Sequence, residues 1–333
     1  MILVVGATGQ LGTVVVRKLV KQGESVRAFV RKTSDYAHLK HEGVESVFGD
    51  LRDPASLEAA CRGIDTVIAT ANAALPRESG DSFKAVDGQG YENLIQSCER
   101  RGVRQFVYTS ALAHPSYDRL PITHQKRVTE ARLQKSGLEY TIFRADAFMD
   151  VVFPMMGSDI ALNGVEAATI KRPFWFTSKF FGSIKDNISK NGKVGILGDG
   201  TTRRTYVCID DVAEFLVKAV GHPKARNAVF DIGGPEALSQ IQVMKIYEKI
   251  IGKPLKAQHT PAMVFKAGHA MLRLFSPAAA NIMGLNYFTA TMDSVIDMKE
   301  TAEIFDVRLT SADEFLSAKV AVQDAWVFKK NNE

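Results

Sequence analysis

Five residues near the start of the chain have the types and spacing to hold a dinucleotide. Gly6, Gly9 and Gly12 follow the apolar run Met1-Ile2-Leu3-Val4-Val5, and Arg31 and Lys32 close a second apolar run ending at Val30. In such a turn Gly6 permits the sharp exit from a buried strand, Gly9 lets the backbone approach a pyrophosphate, and Gly12 lets the next helix pack closely. The pyrophosphate then rests on free N–H groups at the positive end of that helix. Glycine triplets also mark ordinary tight turns, so the apolar strand before this one and the helix Leu11–Lys21 after it carry the reading. At the end of the second strand an NAD site places an acid to hold the ribose hydroxyls. Here no acid occurs until Asp35, and a guanidinium can grip a 2′-phosphate through paired, charge-assisted hydrogen bonds. The residues therefore point to NADPH, with a solvated basic loop as the alternative.

The elements that must position these residues alternate through the first half. Ile2–Val5, Ser25–Val30, Ser46–Phe48, Thr66–Thr70, Gln105–Tyr108 and Tyr140–Arg144 read as strands. Leu11–Lys21, Pro54–Cys61, Asp87–Arg101 and Val128–Ser136 read as helices, the second capped by Asp53. Continuous apolar strands at this spacing predict an α/β fold, a Rossmann-type doubly wound parallel sheet. Residues 1–150 form the NADP-binding domain in this reading. Residues 151–333 form a smaller interwoven substrate lobe, with 193–235 contributing strands back to the core. Within that segment Lys193–Leu197, Thr205–Cys208 and Ala228–Ile232 read as strands, and Asp210–Ala213 opens a helix. A helix Gln240–Ile251 stops at Gly252.

With 333 residues and a net charge of +5, the chain is an ordinary globular protein. It has no basic run to suggest nucleic acid. Cys61, Cys98 and Cys208 are isolated and lack metal-ligand spacing, so no metal site is expected and a reducing compartment is. The first residues already form a core strand, which leaves no room for a cleavable signal peptide. A cytoplasmic location follows, with a peripheral place at a membrane left open.

Several ordered stretches together resemble the atypical short-chain dehydrogenase/reductases of the NmrA-like group. They are Gly6-Ala7-Thr8-Gly9-Gln10-Leu11-Gly12, Gly49-Asp50-Leu51, Gly102 to Ser110, Ser136 to Arg144, and Gly198-Asp199-Gly200 with Tyr206 to Ala213. The resemblance covers roughly residues 1–255. Asp231-Ile232-Gly233-Gly234-Pro235 and Tyr287–Asp297 are similar to divinyl chlorophyllide 8-vinyl reductases and to the nucleotide-binding accessory subunit of respiratory complex I. The first of these is a reductase and the second a structural protein.

The resemblance implies that Asp50 and Leu51 flank the adenine and that Ala69, Thr70 and Ala71 line the nicotinamide side. Thr8, Gln10 and Leu11 join the glycines at the cofactor. Asp50 can equally be a turn or capping residue. The family's catalytic tyrosine is followed four residues later by a lysine. Lys126 matches that lysine, Ile122 stands in the tyrosine's place, and Ser110 matches the family's serine. The departure at Ile122 sets carbonyl reduction by the usual route in doubt, yet relatives that keep only the lysine reduce conjugated double bonds. Tyr117 and His124 are reserve proton donors, or plain loop residues.

The expected function is NADPH-dependent reduction of a bulky apolar conjugated substrate, of the C=C, quinone or enone type. The alternative is a non-catalytic NADPH-binding regulator or an assembly factor for a larger, membrane-linked complex. Pro261–Leu285 is rich in Met, Phe, Leu and Ala, with Lys266, His269 and Arg273 along one face and Pro277 dividing two helices. It reads as an active-site lid, as an interfacial helix touching a membrane or membrane protein, or as a dimer surface. The oligomeric state stays open.

Overall fold

A computed structural model of the chain describes residues 1–41, 43–170, 179 and 182–331, with side chains described except at 41 and 323–331. Part of the expected C-terminal lobe, residues 171–178, 180, 181, 332 and 333, lies outside the described residues.

Seven parallel strands form the central sheet: β1 (Ile2–Val5), β2 (Val26–Val30), β3 (Glu45–Phe48), β4 (Thr66–Ala69), β5 (Gln105–Ala111), β6 (Glu139–Ala145) and β9 (Ala228–Ile232). Their order is β3-β2-β1-β4-β5-β6-β9. The order reverses between β1 and β4, which opens the crevice where doubly wound sheets bind ligands. Every residue of β1 and β4 is buried, as strands covered on both faces require.

On one face α1 (Gln10–Lys21) and the helix Ile209–Lys218 pack around Val15, Val16, Phe143 and Phe215. The short α2 (Ala37–His41) follows β2. On the opposite face α3 (Pro54–Ala60) and α4 (Tyr91–Arg101) enclose Leu57, Tyr91, Leu94 and Phe106. A third core around Phe153, Tyr206, Tyr247 and Phe315 is built from residues between Met149 and Leu316. Of segment 193–235, β9 joins the sheet. The strands β7 (Lys193–Leu197) and β8 (Arg203–Arg204) pair outside it, with β11 (Lys256–Thr260) and β10 (Leu238–Ser239).

Three elements differ from the sequence reading. Thr205–Cys208 is not a strand: Val207 makes one isolated bridge to Phe148, and Cys208 caps the next helix. Its apolar side chains satisfy core burial rather than ladder pairing. The helix expected at Val128 begins earlier, as α5 (Pro121–Lys135), because Pro121 supplies a preset first turn. The segment Phe83–Gly90 is a π-helix that runs directly into α4, so the Asp87 helix starts a turn sooner and with wider pitch. Helices Ala262–Leu272 and Pro277–Thr291 form an antiparallel hairpin split near Pro277 as expected. Among the described residues no helix is long and apolar enough to cross a membrane.

Candidate functional site

The glycine turn is closed by its own sterics. Gly6 adopts a left-handed backbone, φ 92°. Its carbonyl accepts the Gly9 N–H at 2.9 Å. A Cβ on Gly12 would lie 2.0 Å from that same carbonyl oxygen, so no side chain fits there. The first turn of α1 has no side-chain cap and no acidic residue. An uncapped, acid-free helix start presents donors and positive potential to an anion. Thr8, Gln10 and Leu11 are half-buried at this mouth.

The end of β4 meets the turn directly. A Cβ on Gly6 would touch the Ala71 nitrogen and Thr70 Oγ1, each at 2.7 Å. Thr70 Oγ1 donates to the Val5 carbonyl at 3.2 Å, while the Ala69 side chain is buried in the core. Leu51 is likewise a core side chain, and its carbonyl accepts from Asn93 Nδ2 at 3.1 Å.

At the end of β2 the charges are more numerous than the sequence suggests. Arg31 Nη1 donates to both oxygens of Asp81, at 3.0 and 3.1 Å, and lies 3.5 Å from Glu78. Asp81 is buried, with a side chain 3% exposed, and its carboxylate also accepts the N–H groups of Arg77 and Glu78. Arg52 holds Asp50 through Nε and Nη2, both at 2.8 Å, and keeps that carboxyl below its ordinary range. Burial, followed by the neighbouring charge of Arg31, lowers the Arg77 guanidinium. The loop after β4 thus folds its acids across the strand ends and pairs one nitrogen of Arg31. Lys32 is exposed and, among the described residues, makes no ion pair. Arg52, Arg77, Glu78 and Asp81 carry no motif that would have singled them out.

Lys126 occupies a second centre joined to the first. The residue is 6% exposed, and Nζ donates to the Thr109 carbonyl at 2.9 Å. The ammonium lies 4.7 Å from the Tyr108 ring centroid and 5.8 Å from that of Tyr91. Tyr91 in turn donates its hydroxyl to the Ala71 carbonyl at 2.6 Å, which links Lys126 to the end of β4 beside Gly6. Asp87, on the π-helix, accepts the Ala73 N–H at 2.9 Å through Oδ2. Its Oδ1, the Tyr108 hydroxyl and Thr109 Oγ1 are buried with no hydrogen-bond partner. Orphaned polar atoms around a desolvated ammonium cost stability, and such costs concentrate where a ligand or reaction uses the groups.

Burial lowers the Lys126 ammonium, and Asp87 pulls in the opposite direction. Burial raises the Asp87 carboxyl from 3.8 to about 6, with the lysine charge opposing. The folded state therefore holds this proton more tightly than the unfolded chain. The position is least costly below about pH 4, and stability is lost as pH rises through 6. Asp87→Asn mimics the protonated form. It should gain about 3 kcal/mol over the wild type between pH 4 and pH 7. Urea unfolding of both proteins across that range checks this, and a difference that stays constant with pH contradicts it.

The other sequence-derived residues lie in different surroundings. Ile122 packs into the apolar cluster at the start of α5 and donates its N–H to Asn281 Oδ1 at 3.2 Å. Ser110 is committed to a buried ion network. Its hydroxyl donates to Glu130 at 2.5 Å and accepts from Arg127, while Arg144 holds the other side of Glu130 at 2.7 Å. Tyr117 is buried against Phe288, and its phenol oxygen accepts from Arg204. Arg204 pairs with Asp146 at 3.1 Å, both essentially unexposed. Burial raises the Tyr117 phenol, against the pull of Arg204. His124 is exposed. Among the described residues no cluster could hold a metal ion. A cavity of about 330 Å³ opens beside Gln10 and Thr13, toward Asp150, Cys208 and Phe315. None of Ala71, Tyr108 or Lys126 lines it, so it is separate from the centre just described.

Comparison with known proteins gives a consistent family. The profile of the NmrA-like family matches residues 1–316. The chain is 28% identical over 260 residues to the photosystem II assembly factor Ycf39 of Cyanophora paradoxa, across 78% of this chain and 71% of that protein. It is 35% identical over 306 residues to sterol demethylase protein B of Methylococcus capsulatus, across 82% and 88%. In fold it is similar to an NADPH-dependent quinone oxidoreductase of Escherichia coli crystallised with NADPH. That likeness has a TM-score of 0.71 at 20% identity and covers 96% of this chain and 99% of the other.

Proposed function

The chain belongs to the NmrA-like family, and from that premise we propose that it binds NADPH and reduces a bulky, mostly apolar conjugated substrate. The observation that carries this reading is an anion cradle with cations in place of the acid an NAD site uses. The cradle is the uncapped start of α1, with Arg31 and Lys32 beside it. Arg31 uses Nη1 for Asp81, and among the described residues its Nε and Nη2 have no hydrogen-bond partner. Those two nitrogens form one edge of the guanidinium fork, the geometry that matches a phosphate.

When bound, NADPH supplies a hydride. The chain's own part is to hold and orient the reactants and to balance charge. Gly6, Gly9 and Gly12 leave room for the pyrophosphate, and Ala71 lies at the end of β4 where the nicotinamide half would run. Lys126 holds a cation in a dry setting at the end of β5, where charge moving onto a conjugated acceptor is stabilised most strongly. A desolvated ammonium near Asp87 can also give up a proton more readily than a solvated one. The likeness to sterol demethylase protein B and to a quinone oxidoreductase supports an apolar acceptor.

A second reading has its own support. Ile122 replaces the usual proton donor, Ser110 is tied to Glu130, and the chain is similar to an assembly factor. In that reading the protein binds NADPH without turnover and serves a larger complex. Incubating the purified chain with NADPH and a panel of quinones, enones and azo compounds separates the two. Acceptor-dependent oxidation of NADPH is the expected result. Tight NADPH binding without oxidation by any acceptor, together with a co-purifying partner, favours the assembly role.

A further inference from the structure

The helical hairpin Ala262–Leu272 and Pro277–Thr291 carries an apolar surface that its own fold does not cover. Its inner side is fixed to the start of α5. Asn281 accepts from Ile122, Phe288 packs edge-on against Tyr117, and the buried Gly284 faces Leu120. Phe265 is buried as well. The outer side is bare: Met263 is 64% exposed, Met271 61%, Leu274 75% and Phe275 79%. Met263, Ala267, Ala270 and Met271 are exposed along the first helix, and the apolar surface runs on into the bend at Leu274 and Phe275. Lys266 and Arg273 stand exposed one helical flank away.

The charge along this part of the chain is one-sided. Between Glu248 and Asp293 the sequence has no acidic residue; Lys249 is paired with Asp313, and Lys253, Lys256, Lys266 and Arg273 remain in that stretch. Bulky apolar side chains on one face of a helix, with cations alongside and no acid, match the requirements of an anionic bilayer surface. We propose that this hairpin docks the protein on a membrane with anionic headgroups. The stripe from Met263 to Phe275 enters the headgroup boundary, and Lys266 and Arg273 meet lipid phosphates. The contact places the start of α5, and with it the Lys126 centre, one helical layer from the lipid from which an apolar substrate would come. Docking itself stands whether or not the chain reduces anything.

Sedimentation of the full chain with vesicles tests the proposal. Vesicles of phosphatidylcholine containing phosphatidylglycerol should carry the protein down, and added salt should weaken the binding. Leu274→Glu together with Phe275→Glu should lower binding about 100-fold, because both side chains leave the apolar layer. Lys266→Glu with Arg273→Glu should lower it at least about tenfold, and only on the anionic vesicles. All four positions are exposed, so thermal midpoints should match the wild type. Failure to sediment overturns the proposal, as does unchanged binding by the Leu274/Phe275 variant or equal binding to phosphatidylcholine alone. A solution dimer that the Leu274/Phe275 variant splits would assign the stripe to a second copy of the chain and overturn it too.

Discussion

Lys126→Met will cut NADPH-dependent turnover by at least about 100-fold, and with Asp87→Asn beside it the fold will be as stable as that of Asp87→Asn alone, or more so. The reasoning rests on burial. The lysine is 6% exposed, its one hydrogen-bond acceptor is a backbone carbonyl, and burial already lowers its ammonium. Alone, the substitution would leave the Asp87 carboxylate buried without its opposing cation, but with Asp87→Asn the whole charged pair is gone and methionine of similar volume should be tolerated or preferred. Cofactor affinity should also fall, since the side chain lies at the end of β5 against Tyr91, whose hydroxyl is bonded to Ala71. Thermal melts, NADPH titration and turnover per folded molecule separate the possibilities. A lower melting temperature with unchanged turnover would make Lys126 a structural residue only.

Arg31→Ala with Lys32→Ala should erase the preference for NADPH while leaving NADH binding nearly unchanged. Hydrogen bonds to charged groups contribute about 1.5–3 kcal/mol, which corresponds to a loss of about 10- to 150-fold in NADPH affinity. The buried Asp81 would lose its main cation in this variant, and an unpaired buried carboxylate destabilises a fold. Adding Asp81→Asn removes that penalty and keeps the cofactor readout clean. If both variants still favour NADPH, Arg52 and Arg77 become the residues to examine, because the same acids bring them to this strand end.

What the sequence revealed and what it hid divide by distance along the chain. The glycine turn, the uncapped helix behind it and the basic end of β2 are local features, set by steric demands within a few residues. The helix Gln240–Ile251 and its stop at Gly252 were legible for the same reason. The start of α5 was misplaced although Pro121 announces it, because the preceding loop has no apolar period to mark the boundary. Asp87 and Asp81 could not be found this way. Their meaning comes from Lys126 and Arg31, each dozens of residues away, brought close only when β4 and its loop are in place. Tyr117 shows the same limit, since Arg204, 87 positions on, occupies its phenol. Thr205–Cys208 reads as a strand from side chains that are indeed buried, but its pairing with Phe148 stops at one isolated bridge and never extends into a ladder.

Whether a 2′-phosphate on the adenosine is what this crevice is built to hold can be decided by calorimetry. The purified wild-type chain is titrated with NADPH and, separately, with NADH under the same salt. The expected result is binding of NADPH at least about tenfold tighter than NADH, the least that charge-assisted contacts to the extra phosphate should give. Equal affinities, a preference for NADH, or no heat with either nucleotide would contradict the account at its root.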